Sequence, residues 1–435
     1  MFGFAQVQIE SSAGQSEPPA QSGPVEAQHE TPDHGLIGGE ETIVVNGVEF
    51  TAGQLNALVD FVGRSVDDLY AYSADELRTF IELLARDASC EEWDAATGGK
   101  SKEELLDNDE HFAPGNDAIC PTTGAGGNHL DAWRSGHEVA LRLALDAGAL
   151  DADGSESEGL ALMQKAIAAN AMAGHFLADA FSSGHLINKN DLMAQAGRQL
   201  VPALVPDDLG IIRLIATVCG DVAPRLGSRL AAYEMGGGSD YMNIWLNLST
   251  PGALALALEA ARCAAPAAVA AGILGGVVNH VHDQLNAAGV PVANDVMAWR
   301  MFGDGALDGE TLVQAQRAIG LARENLDVAQ GVGASFDTTS LFARAEAAFP
   351  KPTPEGVQLL ADEVTAATST YEGVAHAAGC ALEMHFEEVM DALVAQSGGV
   401  LRRVPEAAAE PEEPSDVKVF GVSAFAYPDS SALLS

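Results

Sequence analysis

The sequence predicts an all-α fold, a single multi-helix domain with one small N-terminal β-hairpin and disordered ends. Two compositional observations lead there. The chain is 47% apolar but only 6% aromatic, which implies an Ala/Leu/Val interior of closely packed helices. Windows rich in β-branched and aromatic residues are few, whereas long segments repeat their apolar residues at helical spacing. At 435 residues there is ample chain to bury a large core.

From the N-terminus, residues 1–40 are rich in Gln, Glu, Ser, Pro and Gly and are expected to form a mobile arm. Residues 42–50 alternate around Asn46-Gly47, which predicts a hairpin. Helical patterns run over 51–63 and 73–88, the second opened by Ser73-Ala74-Asp75-Glu76 as a capping box. Residues 89–128, dense in Gly, Asp and Pro, read as a loop region long enough to suggest a function. A helix carrying His137 is expected from Leu130 to about Leu150, a loop over 151–157, and a further helix over 158–182. Helices over 207–234, 252–287 and 309–329 and a last pair around 354–397 complete a domain spanning 41–403. The tail over 404–435, with its acidic, proline-rich run at 410–414, is expected to be disordered. No internal repeat is visible.

Charge and cysteine usage narrow the function classes. The formal net charge is −40, which argues against a broad electrostatic grip on nucleic acid or anionic lipid. A small cationic pocket stays compatible with it, because bound metal ions add local positive charge. Five cysteines (Cys90, Cys120, Cys219, Cys263 and Cys380) show no CxxC pairing. That fits a reduced compartment and leaves open one Cys90–Cys120 bridge. No signal peptide is visible at the N-terminus, so the chain is expected to be cytoplasmic as synthesised, with export by a non-classical route open. The apolar run over 263–278, interrupted by Pro266, reads as a core helix rather than a membrane span.

The segment His175-Phe-Leu-Ala-Asp179-Ala-Phe-Ser-Ser-Gly-His185 carries the most chemistry. His175 and Asp179 fall about 40° apart on one face of a helix, so they can share a metal ion, or the carboxylate can bridge two. Ser182-Ser183-Gly184 supplies a helix end, after which His185 can turn back to the same cavity. Three such groups in an apolar helix are costly to bury without a shared purpose, and imidazole plus carboxylate suits zinc. The alternative is a hydrogen-bonded His/Asp pair in the core. Three further places offer ligand-grade residues: Asp107 to Phe112, Asn128-His129 through His137, and Asn279 to Asn286, which includes His280, His282 and Asp283. Each could equally be a solvated acidic loop or a histidine favoured by a helix end.

At these residues the chain resembles the zinc-dependent phospholipase C and single-strand-nuclease superfamily, all-helical phosphodiesterases with a three-zinc cluster. His175, Asp179 and His185 reproduce its His-x3-Asp-x5-His helix, with Phe176 after the first histidine. His111-Phe112 resembles its upstream His-Phe pair. Asp94, in Glu92-Trp93-Asp94, resembles the Asp that precedes that pair as ligand and candidate base. His282-Asp283 resembles the His-Asp pair of bacterial relatives, and Asn286, Gly289, Trp299 and Gly303-Asp304-Gly305 stand after it in the family's order. The likeness spans about residues 42–310.

The resemblance implies two or three zinc ions held by His111, His175, Asp179, His185, His282 and Asp283, with Asp94 orienting or deprotonating an attacking water. The implied activity is hydrolysis of a phosphodiester, phospholipase-C-like ahead of single-strand nuclease, since aromatics for stacking bases are scarce. The family's processed N-terminal Trp has no counterpart here. The residues four positions after His280 and His282 are Gln284 and Asn286, where the family pattern has a carboxylate. A third ion would therefore need His29, His34, His137 or Asp283. The rival reading is a non-enzymatic helical scaffold or delivered cargo protein that keeps a degenerate metal site.

Overall fold

The computed structural model describes residues 31–86, 88–100, 108–204, 209–236, 245–247, 266–303, 306–332, 338–384, 386, 390, 394 and 401–404. Fifteen α-helices dominate them, and the strands form three small sheets. Residues 1–30 and 405–435 lie outside the described residues, as does the 252–265 part of the helix expected over 252–287.

The centre is a helical hairpin. His129–Ala152 and Glu156–Asp179 pack along their lengths, and Gly309–Val332 lies against both. The paucity of aromatics explains this closeness, because small residues let backbones approach. A Cβ on Gly136 would stand 2.7 Å from the Ala173 Cβ, and one on Gly148 only 2.0 Å from the Gln330 carbonyl oxygen. The last four turns of Glu156–Asp179 are buried on every side, from Ala166 to Asp179. That all-round burial is what an unbroken apolar helix requires.

The hairpin forms as expected, with Thr42–Val45 paired to Val48–Thr51 and Val45 opposite Val48. Asn46 and Gly47 take φ of 48° and 79°, the left-handed pair that a two-residue turn needs. Ser73 and Glu76 make the expected capping box on Ala74–Ala85, and Thr51–Gln54 and Ser89–Glu92 make two more.

Several sequence expectations are corrected. The arm ends before residue 40, since Thr31–Gly38 is a helix. It crosses Ala52–Ala57 so closely that a Cβ on Gly53 would lie 2.1 Å from the Gly35 carbonyl oxygen. The pattern over 51–63 is two short helices, Ala52–Ala57 and Val59–Val62. The loop over 89–128 contains the helix Cys90–Thr97 and a 3-10 turn, Asp109–His111. The helix expected over 207–234 stops at Leu226, and a 3-10 segment leads into the strand Tyr233–Gly236. That strand pairs with Trp245–Asn247 and Leu401–Arg403. Val290–Ala293 likewise pairs with Ala298–Met301 and Lys351–Pro352. Strands of two to four residues are too short for a period-2 pattern to stand out. Cys120 is a free thiol, so the Cys90–Cys120 bridge is not formed. Among the described residues, no helix is long and apolar enough to cross a membrane.

Candidate metal centre

Asp179, the last residue of its helix, sits at the middle of a ring of imidazoles from four segments. Its side chain is 0% exposed. Oδ1 lies 3.3 Å from His34 Nε2 and 3.6 Å from His185 Nδ1. Oδ2 lies 3.2 Å from His111 Nδ1 and 3.7 Å from His175 Nε2. Each carboxylate oxygen thus faces two ring nitrogens. Neither oxygen receives a well-aligned hydrogen bond. Burial alone would raise the Asp179 carboxyl, but His175 and His111 outweigh it and hold the group well below the usual carboxylate range.

Local folding explains how each histidine arrives. His175 precedes Asp179 by one turn. The chain leaves the helix through the 3-10 turn Ser183–Leu186, which swings His185 back. His111 ends the 3-10 turn Asp109–His111, pinned when the Ala113 N–H donates to the His185 carbonyl. His34 is delivered by the helix that crosses Gly53, and its Nδ1 lies 3.0 Å from Asn56 Oδ1.

The protonation of His175 decides what the site lacks. Its Nδ1 is 3.1 Å from the backbone carbonyl of Asn56. A carbonyl only accepts, so the Nδ1 proton points there and a neutral ring must present a bare lone pair at Nε2. That lone pair faces Asp60 Oδ1 at 3.2 Å as well as Asp179 Oδ2, and it lies 3.3 Å from His111 Nδ1. Lone pair against carboxylate is repulsive; a hydrogen bond donated by His111 Nδ1, a proton on the ring or a metal ion between the groups would each relieve it. The groups His34/His175/Asp179 and Asp60/His111/His175 each bring three ligand atoms within 4.8 Å of one another, so they can hold a metal ion. His175 has one lone pair to give, and the two groups cannot both use it.

Asp60 was not singled out by sequence reasoning. Its signal was a lone carboxylate in the apolar run Leu58-Val59-Asp60-Phe61-Val62. Its side chain is 15% exposed and also lies 3.8 Å from His111 Nε2. Burial raises its carboxyl, His175, His111 and His34 lower it, and the net displacement is downward. Asp94 is half-buried on Cys90–Thr97, beside Trp93, whose ring stacks on Phe61 at 4.0 Å. The carboxylate grouped with His111 and His175 is Asp60.

His282 reaches the edge of the cluster, its ring 5.1 Å from that of His185. Its nitrogens are already engaged, Nδ1 with Asp283 Oδ1 at 2.9 Å and Nε2 accepting from Asn286 Nδ2 at 3.3 Å. Asn286 in turn accepts the Gly184 N–H at 2.6 Å. Where the resemblance calls for a carboxylate, an amide thus buttresses the turn that carries His185. A Cβ on Gly303 would fall 1.5 Å from Asn286 Oδ1, so this glycine leaves the amide its place. Asp304, Gly305 and His29 lie outside the described residues. A small cavity, with room for about one water molecule, adjoins Asp179 between His34, Ile37, Phe181, Ser182 and Gly303.

His129 and His137 play other parts. His129 is buried with neither ring nitrogen hydrogen-bonded, and burial pushes its imidazole down to about 4. His137 is wedged between two asparagines, Nδ1 at 2.8 Å from Asn170 Oδ1 and Nε2 accepting from Asn325 Nδ2 at 3.3 Å. Burial pushes it down to about 4, partly offset by Asn170. Above pH 6.5 both folded and unfolded chains carry it neutral. As pH falls from 6.5 to 4, only the unfolded chain takes up the proton, so stability is lost, by up to about 3 kcal/mol for this one residue. Urea titrations of His137→Gln are expected to show a shallower pH dependence over that window, by up to one proton. Parallel curves for parent and variant would refute it.

No family model, no curated protein and no solved structure matches the chain.

Proposed function

We propose that this protein is a zinc-dependent phosphoric-ester hydrolase, phospholipase-C-like, acting on a phosphodiester. The observation that carries the reading is the convergence of His34, His111 and His175 on Asp60 and Asp179, three ligand atoms at a time within 4.8 Å of one another. The spacing of the motif, similar to that of the zinc-dependent phospholipase C and nuclease superfamily, adds the reaction class. The imidazoles divide between the two oxygens of Asp179, His111 and His175 toward Oδ2 and His34 and His185 toward Oδ1, and the two groups with ligand spacing share His175, which supports at least one ion.

Zinc held there would supply the positive charge that neutralises a phosphodiester and would lower the pKa of water toward neutrality. The chain's own nearby cations cannot supply that charge, because Arg64 is bound to Glu110 at 2.7 Å and Lys189 to Asp109 at 3.0 Å. Asp179, wholly buried, acts as a fixed ligand. Asp60, with its edge in solvent and its carboxyl kept ionised, is suited to accept a proton from a water and aim it at phosphorus. It takes the role that the resemblance gives to Asp94. The Asn56 carbonyl fixes the His175 tautomer, as an outer partner of a metal-bound histidine should.

A closed, structural metal site in a non-enzymatic scaffold is the second reading, favoured by the confinement of the cavity beside Asp179. One experiment separates them. The purified chain is analysed for metal, then assayed on a phosphatidylcholine analogue and on single-stranded DNA. Hydrolysis lost on chelation and restored by zinc is the expected result, with the lipid analogue cleaved faster. Metal-replete protein that cleaves neither substrate would leave the scaffold reading standing.

A further inference from the structure

Of the four imidazoles around Asp179, His111 is the one its own segment holds least. The 3-10 turn Asp109–His111 has three residues. It is closed by long bonds, 3.3 Å from the His111 N–H to the Asn108 carbonyl and 3.3 Å from the Phe112 N–H to the Asp109 carbonyl. A single turn of this kind has poor hydrogen-bond geometry and little stability of its own. The His111 side chain is also the most open of the four, 12% exposed against 4% or less for His34, His175 and His185. A ligand in such a turn needs support from outside it.

That support reaches the two residues before His111. Glu110 Oε2 accepts from Arg64 at 2.7 Å. Asp109 meets Lys189 Nζ at 3.0 Å through Oδ1 and accepts from Asn190 Nδ2 at 2.7 Å through Oδ2. Lys189 also donates to Asn108 Oδ1. Both cations belong to segments that carry other members of the cluster, since Arg64 follows Asp60 by four residues and Lys189 follows His185 by four. On another side the loop before His129 closes in. A Cβ on Gly126 would lie 2.8 Å from Asp109 Oδ2, and one on Gly127 2.4 Å from Glu110 Cγ.

On the zinc reading of the Asp179 cluster, we infer that the pairs Arg64/Glu110 and Lys189/Asp109 form an ionic clamp that positions His111, so that metal affinity depends on charges that touch no metal. Partly exposed ion pairs contribute little to global stability, so the clamp acts locally. It fixes the turn against the segments of Asp60 and His185. A ligand held in place beforehand spares the ion the entropy cost of ordering it. Arg64 and Lys189 are thus positioning residues.

The test measures zinc affinity of the full chain, stripped of metal, by competition with a chromophoric chelator. Arg64→Met together with Glu110→Gln removes one pair without changing net charge, so a change in affinity reports position rather than field. It should weaken zinc binding about tenfold, the low end of the range for partners that orient a ligand. The reversed pair, Arg64→Glu with Glu110→Arg, should recover most of that loss, which a merely structural defect would not allow. Lys189→Met with Asp109→Asn repeats the test at the other pair and should weaken binding likewise. Zinc bound by both paired variants as tightly as by the parent, or a reversed pair as weak as the variant lacking the pair, overturns the clamp and leaves the zinc reading intact. A parent that binds no zinc removes the zinc reading and the clamp with it.

Discussion

In His175→Ala, the difference in thermal stability between metal-loaded and chelated protein is expected to vanish. In the parent that difference should be large, because an ion that binds only the folded state stabilises it by about 4 kcal/mol at a free concentration 1,000 times Kd. His175 is the right residue to remove because its Nε2 faces both Asp60 and Asp179. Without it, neither three-ligand group keeps its full set. The comparison within each protein, loaded against chelated, cancels the packing cost of deleting a buried ring. Bound zinc per chain, measured on the same samples, should fall in parallel. A variant that keeps its stoichiometry and its metal-dependent stabilisation would reduce the cluster to a hydrogen-bonded His/Asp core.

Asp60→Asn is expected to lower turnover by about 10²- to 10⁴-fold, the range for loss of a positioned general base, while zinc content falls less. The substitution keeps the shape and removes the charge. Asp94→Asn should cost far less, since Asp60 rather than Asp94 shares ligand distance with His111 and His175. The two variants assayed side by side decide between the carboxylates. If Asp94→Asn is the one that stops turnover, the sequence-based assignment stands and Asp60 is only a neighbour of the histidines.

Much of the fold was legible in the residues themselves. The capping box at Ser73, the Asn46-Gly47 turn and the apolar run before His175 each act through local geometry, so spacing alone revealed them. His175, Asp179 and His185 could be grouped because a helix and its end bring them together with no help from the rest of the chain. His111 and His282 were placed near them by resemblance, and both do approach, one at Asp179 and the other at the rim beside His185.

What the sequence by itself determined was therefore the helical class, the turns and caps, and a local His/Asp/His motif. Only the tertiary structure decided which distant groups share that motif's cavity. His34 sat in a stretch whose composition reads as a polar arm, and it joins the cluster because glycines let its helix cross Ala52–Ala57 at close range. Asp60 looked like one acid in an apolar run, and it is a partner of His175 because the fold packs two segments distant in sequence together. The opposite headings of His280 and His282 were written in the 100° step of the helix, but not which neighbour each would meet. Local periodicity fixes the direction in which a side chain leaves its own helix. The packing of one helix on another, set by contacts far apart in the chain, fixes what it finds there.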